Sequence, residues 1–153
     1  MLPTAPRQGM GVLTWSPLNS GWLTGRYRTA DDITVTDFKE LIAHKWDLSL
    51  PGNQRKLQAV EQLVQLAEQA DMPLSHLAIA FAATHPAVSS VILGPRTADH
   101  LQDLLAAADV GLSNDILDRI DEIVEPGTDL NPCDTDYTPP AARPSGQEDA
   151  MTR

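Results

Sequence analysis

The 153-residue sequence predicts an α/β fold with parallel strands, on three observations. Two short apolar runs, residues 12–15 (Val-Leu-Thr-Trp) and 87–93 (Ala-Val-Ser-Ser-Val-Ile-Leu), are rich in β-branched and aromatic residues. Each meets a breaker, Ser16-Pro17 in the first case and Gly94 in the second. The residues between and after them carry the three-and-four apolar spacing of amphipathic helices. Short strands separated by helices pair in parallel, because the chain must cross back between them. Two strands alone do not make a self-sufficient parallel sheet, since both faces and both edges need partners. The pattern therefore reads as part of a larger sheet.

The first strand leads into an unusual loop. Pro17 cannot donate to a ladder and drives Ser16 out of the helical region, so the strand ends there. Gly21 and Gly25 punctuate the loop, and Arg26 places a guanidinium at its end. A strand running into a hydroxyl, two glycines and a cation is suited to holding an anionic ligand, and in parallel sheets the C-terminal strand edge is where ligands bind. Residues 28–52 then read as an irregular excursion, with a short helical piece over 38–44 and a breaker at Pro51-Gly52. So long an irregular stretch is either a covering or functional loop or a surface insertion.

Helical order resumes after it. Leu57, Val60, Val64 and Ala67 share a face widened by Leu63, Leu66 and Ala70, with Asn53 as the expected cap. Asp71-Met72-Pro73 ends that helix and opens another, whose apolar face is Leu74, Leu77, Ala78, Phe81, Ala82 and His85; Pro86 closes it. After the second strand, Thr97 is the expected cap of a helix with Asp99 in its first turn and Leu101, Leu104 and Leu105 facing inward. Ser113 caps a last helix with Ile116, Ile120, Ile123 and Val124 on one face. From residue 126 onward Pro, Asp, Thr and Gly dominate and no packed core is expected. The domain reading is thus 1–125 for the folded part and 126–153 for a Pro-rich acidic tail.

The second strand also ends in a suggestive loop. Gly94-Pro95-Arg96-Thr97 joins it to a Thr-capped helix, whose open N–H groups suit a phosphate, and Arg96 adds a bidentate donor. On its own the pattern reads first as a capped helix beside a surface arginine.

Together the two loops carry a family resemblance. Trp15-Ser16-Pro17-Leu18 with Gly21, Leu23, Gly25, Arg26 and Tyr27 resembles the strand-seven motif of aldo-keto reductases, and residues 89–101 resemble the strand-eight cofactor site of the same family. Those are NADPH-dependent (β/α)8 TIM-barrel enzymes that reduce aldehydes and ketones. A complete barrel needs roughly 200 residues or more, so the resemblance implies a partial (β/α)8 barrel, the C-terminal βα units only. It puts Ser16, Leu18, Asn19, Gly21 and Arg26 around the pyrophosphate and nearby ribose of NADP. It puts Gly94, Arg96, Thr97 and His100 on the adenosine 2′-phosphate. Arg26 stands where the family has Lys, His100 where it has Gln or Arg, and Leu104 where many members have an adenine-contacting Asn.

The family's catalytic Tyr, Asp, Lys and His lie on earlier strands, so the resemblance implies no catalytic residue in this chain and no activity from it alone. Tyr27 and Tyr137 have no adjacent Lys-Asp pair to make either a general acid. The implied partners are NADPH, a small carbonyl substrate in the complete enzyme, and either a missing N-terminal portion or a second copy. The alternative is a non-enzymatic interaction module that docks on a barrel-type partner through unpaired strand edges.

Composition narrows the remaining classes. The formal net charge of −10, with only 11 Lys and Arg, argues against nucleic acid. No apolar run reaches the ~18 residues of a membrane span, and the N-terminus lacks a signal-peptide core. A single cysteine, Cys133, excludes an internal disulfide framework, and the default location is cytoplasmic. The four histidines show no metal-ligand spacing with Cys133. Of the three tryptophans, Trp22 is the one best placed to line a substrate pocket, with ordinary packing the competing role.

Overall fold

The computed structural model describes residues 4–33 and 43–134. The helical piece expected over 38–44 falls outside the described residues except at its end, where Ala43–Lys45 is a 3-10 turn. Tyr137 and the tail beyond Asp134 also lie outside them.

Strand β1 is Val12–Trp15 and matches expectation; strand β2 is Val88–Ile92, one residue shorter at each end than expected. They pair in parallel, with Val12 opposite Val88, Leu13 opposite Ser90, Thr14 opposite Val91 and Trp15 opposite Ile92. Between the first two pairs β2 advances by two residues against one in β1. Ser89 is the extra residue, and its Oγ accepts the Val12 N–H at 3.3 Å. Val12, Thr14, Val88 and Val91 are half-buried, whereas Leu13, Trp15, Ser90 and Ile92 are exposed. One face of the sheet is thus packed and the other, though apolar, is open.

Among the described residues, four longer helices follow a single turn, α1 (Thr4–Arg7). Helix α2 is Pro51–Gln69 and α3 is Leu74–Thr84, both in the crossover from β1 to β2; α4 is Ala98–Ala106 and α5 is Asn114–Ile123. Thr97 and Ser113 cap α4 and α5 as the sequence predicts, accepting the backbone N–H of His100 at 3.1 Å and of Ile116 at 3.3 Å. Helix α2 departs from expectation. Pro51 opens it from the first position, where its fixed φ is preorganised and its missing N–H costs nothing, so Pro51-Gly52 starts the helix instead of breaking the chain. Asn53 therefore lies inside the first turn and is not the cap.

The main core joins α2, α3 and α5 to the loops that carry the tryptophans. It contains Trp22, Trp46, Val60, Val64, Leu66, Ala67, Leu74, Leu77 and Ile120. Trp22 is 1 % exposed and stacks on Trp46 with ring centroids 4.4 Å apart and planes 7° from parallel. Tyr27 meets Trp46 edge-on at 4.8 Å. Trp22 is a packing residue, and the described end of the excursion, residues 43–50, covers the core and supplies half of this stack through Trp46. Phe81, Leu101 and Leu105, expected to face inward, are exposed. Helical periodicity fixes which residues share a face but not whether a neighbour covers it, and α4 buries only Leu104.

Candidate functional site

Two loops leave the same edge of the sheet. Trp15 and Ile92 form the last pair of the ladder, so the chain emerges side by side at Ser16 and at Leu93. Leu18 from the first loop and Leu93 from the second pack on one small cluster, Ile79, Leu104 and Ala107, supplied by α3, α4 and the turn after α4. Parallel register and this shared cluster bring Ser16, Leu18 and Asn19 to the same end of the molecule as Gly94, Arg96, Thr97 and His100.

The first loop has an unusual backbone. Ser16 (φ 55°), Asn19 (φ 45°) and Ser20 (φ 56°) are left-handed without being glycine, and Gly21 has φ 106°. Non-glycine residues rarely adopt this region, and its clustering marks stored strain. The proline does exclude the right-handed helical region at Ser16, but the chain takes the left-handed turn and not the extended form usual before proline. The loop is held by Asn19 N–H to the Ser16 carbonyl at 2.9 Å, Gly21 N–H to the Leu18 carbonyl at 2.9 Å, and Ser20 N–H to Ser16 Oγ at 3.4 Å. The Ser16 hydroxyl oxygen is therefore partly used within the loop. A 3-10 turn over Asn19–Thr24 comes next and ends at Gly25 in the left-handed region.

Arg26, directly after that turn, is exposed. Gly25 lies against Leu74 at the start of α3, with 3.7 Å to the Leu74 Cβ from where a glycine Cβ would stand. Helix α3 ends where β2 begins and touches both β2 and the Asn19–Thr24 turn. Its start, and Arg26 with it, therefore belongs to the loop-bearing end. In the second loop Gly94, Arg96 and Thr97 are exposed and His100 is half-buried. Nothing lies within 4 Å of where a Cβ at Gly94 would be, so the chain's own packing does not require glycine there. The Thr97 hydroxyl oxygen serves the α4 cap, which leaves its proton free to donate outward.

A second polar assembly escaped the sequence reading. Asn53 is fully buried and donates through Nδ2 to the carbonyls of His44 and Asp47, each at 2.8 Å. Its Oδ1 accepts Asn131 Nδ2 at 2.8 Å. Lys56, also buried, bonds Asp134 Oδ2 at 2.6 Å and the Lys45 carbonyl at 3.0 Å. Burial pushes the Lys56 ammonium below its ordinary pKa, and Asp134 opposes that shift. Residues 130–134 are thus fixed onto α2 and do not behave as a tail. The signal in the sequence is that Asn53 and Lys56 continue the apolar stripe of Val60 and Val64 at helical spacing.

Away from these sites, an open groove of about 330 Å³ runs between α2 and α5, lined by Gln62, Gln65, Arg119, Glu122 and Ile123. Among the described residues no three of His, Cys, Asp or Glu gather as a metal site requires, and no helix is long and apolar enough to cross a membrane.

Parallel βα units with paired loops at the C-terminal strand edge define a portion of a (β/α)8 barrel. The glycerol dehydrogenase structure from Gluconobacter oxydans has the same fold, with a TM-score of 0.69 and 21% identity over 91% of this chain and 41% of that one. Residues 1–125 match the Aldo/keto reductase family, and the chain belongs to that family. The match thus fills the N-terminal part of this chain and stops where the Pro-rich stretch begins. Among curated relatives, a protein of Arabidopsis thaliana described as "Probable voltage-gated potassium channel subunit beta" is 34% identical over 131 residues, 81% of this chain and 38% of its own length. An uncharacterised oxidoreductase of Bacillus subtilis is 28% identical over 123 residues, 80% of this chain and 35% of its own. The chain therefore spans little more than a third of the curated relatives it matches.

Proposed function

We propose that this chain comprises the C-terminal, cofactor-binding βα units of an NADPH-dependent aldo-keto reductase, corresponding to strands seven and eight of the barrel. The observation that carries this reading is the Trp15–Ile92 register, which puts a strained, glycine-punctuated loop and an Arg-Thr-capped helix start at one sheet edge. Ser16, Leu18, Asn19, Gly21 and Arg26 would hold the pyrophosphate and adjoining ribose. Gly94, Arg96, Thr97 and His100 would hold the 2′-phosphate. The open ground at Gly94 and the outward hydroxyl of Thr97 fit a phosphate approaching α4. NADPH supplies the hydride in carbonyl reduction; these residues bind and orient it.

Neither Tyr27 nor Tyr137 has a Lys-Asp pair beside it in the sequence, so purified protein is expected to bind NADPH and leave aldehydes and ketones unreduced unless the family's N-terminal barrel portion is added. Vigorous NADPH-dependent reduction by the chain alone would refute this. The residue-level test is titration of NADPH and NADH against wild type and Arg96→Ala. Loss of the bidentate phosphate contact should weaken NADPH by roughly tenfold or more while NADH changes little. Equal losses for both would remove Arg96 from the 2′-phosphate site.

A second reading, an interaction module that docks on a barrel-type partner, draws on the open apolar strand face, where Leu13 is 63% and Trp15 77% exposed, and on the channel-subunit description of the Arabidopsis relative. It predicts partner binding with no measurable affinity for NADPH.

A further inference from the structure

We propose that residues 130–134 form a latch on the loop after β1, with Asp134 as a positioning residue that acts on the Asn19–Thr24 turn through Lys56, the Lys45 carbonyl and Trp22. That the turn so positioned is a nucleotide loop rests on the function proposed above; the latch itself does not.

The Asn19–Thr24 turn is irregular, with non-helical dihedrals at Ser20, Gly21 and Leu23. Its anchor in the core is Trp22, the one buried residue of the turn. Trp22 is fixed at both ends of its ring: Nε1 donates to the Lys45 carbonyl at 3.1 Å, and one face stacks on Trp46. The same Lys45 carbonyl accepts the Lys56 ammonium at 3.0 Å, and that ammonium stands 4.6 Å from the Trp22 ring centroid. One carbonyl and one ring are thus shared between the turn and Lys56.

The Lys56 ammonium is nearly out of water, its side chain 6% exposed, and it needs a counter-charge to stay there. Asp134 supplies it at 2.6 Å. Two sets of hydrogen bonds and one clearance bring Asp134 to that place. Asn131 Nδ2 bonds both Asn53 Oδ1 at 2.8 Å and Asp134 Oδ1 at 3.0 Å. Arg55 grips the Leu130 carbonyl through Nη2 at 2.9 Å and Nε at 3.2 Å. Gly52 makes room, since a Cβ there would lie 2.5 Å from Asn131 Oδ1. A merely adhering segment would not need a half-buried carboxylate against a buried ammonium, an amide pair and a vacated side chain. Without the carboxylate, Lys56 must swing to water or lose its proton. Either change withdraws the ammonium from the Trp22 face and from the carbonyl that orients its indole.

The test uses the full chain and Asp134→Asn, which keeps shape and removes charge. Amide hydrogen exchange over residues 19–24 should quicken by roughly tenfold, the scale of one lost charge-assisted hydrogen bond. The near-ultraviolet circular dichroism of the Trp22–Trp46 stack should weaken with it. Arg119→Ala, which among the described residues breaks an exposed contact to Gln69, should alter neither. If Asp134→Asn unfolds the chain, adding Lys56→Met leaves no buried charge and restores a fold in which the same exchange is read. Wild-type exchange over 19–24 beside faster exchange over 130–134 would overturn the latch. Under the function proposed above, the loosened turn also binds NADPH several-fold more weakly. A loosened turn with unchanged NADPH affinity would keep the latch and remove the turn from the nucleotide site. If wild type binds no NADPH, exchange alone decides the latch.

Discussion

Arg28 shows how single side chains tie the irregular loop to the helical frame. Its guanidinium meets Glu61 with 2.8 and 2.9 Å hydrogen bonds and Glu68 with a 3.0 Å bond, both on α2. The Arg28 hydrogen bonds hold the Glu61 carboxyl at about 2, down from 4.5. Because the folded value is depressed, the stabilisation is fully present above pH 4.5 and is lost as pH falls toward 2. The pair is solvent-facing, so its effect is modest and screened by salt. Thermal melts of Glu61→Gln against wild type should differ at pH 7 and converge near pH 2; a constant gap across that range would disprove the linkage. At this scale the sequence is informative where chemistry is local. Thr97 and Ser113 are caps because a hydroxyl and a backbone N–H three residues on are all that a cap needs. Ser16 departs from expectation because its left-handed turn is set by the bonds of its own loop, and Asn53 because Pro51 opens the helix ahead of it and its amide pairs with Asn131, far along the chain.

Among elements, α2 does the most, packing its later turns on the tryptophan stack and its first turn on the 130–134 segment. Gly52→Ala separates these roles. Alanine favours the helix by up to about 1 kcal/mol, yet its Cβ would stand 2.5–2.8 Å from three Asn131 atoms. The expected outcome is an intact α2 with residues 129–134 released, seen as new protease cleavage there with unchanged far-ultraviolet circular dichroism. Protection equal to wild type would show that Asn131 can move aside. In α4, Thr97→Ala should cost about 1 kcal/mol by denaturant titration. Strand β1 is legible to the residue because its apolar run is bounded by Ser16-Pro17. The helix faces are legible as stripes, but the burial of Leu104 beside the exposure of Leu101 and Leu105 is not, since periodicity carries no information about which neighbour is present.

For the whole molecule, the open sheet face dominates behaviour in solution. Met10, Leu13, Trp15 and Ile92 are each at least half exposed, a concentration of apolar surface that favours association. Sedimentation of the purified chain should reveal concentration-dependent oligomers, and Leu13→Lys with Trp15→Glu should shift them toward monomer; a wild-type monomer with a sharp cooperative melt would contradict this. The α/β class and the parallel order can be inferred from strand spacing, whereas the attachment of residues 130–134 cannot, because Pro-rich composition speaks of local disorder and not of a docking partner. The extra residue in β2 has a consequence for this open face. Had Ser89 taken an ordinary place opposite Leu13, Val91 would point into solvent and Ser90 and Ile92 toward the helices. By stepping out of the ladder it keeps Val88 and Val91, three apart, on the same side. Excising Ser89 would give a regular strand of the same polarity, at the loss of one hydroxyl contact to Val12. The length of this segment is therefore free to vary by one without turning over the glycine-arginine loop beyond it.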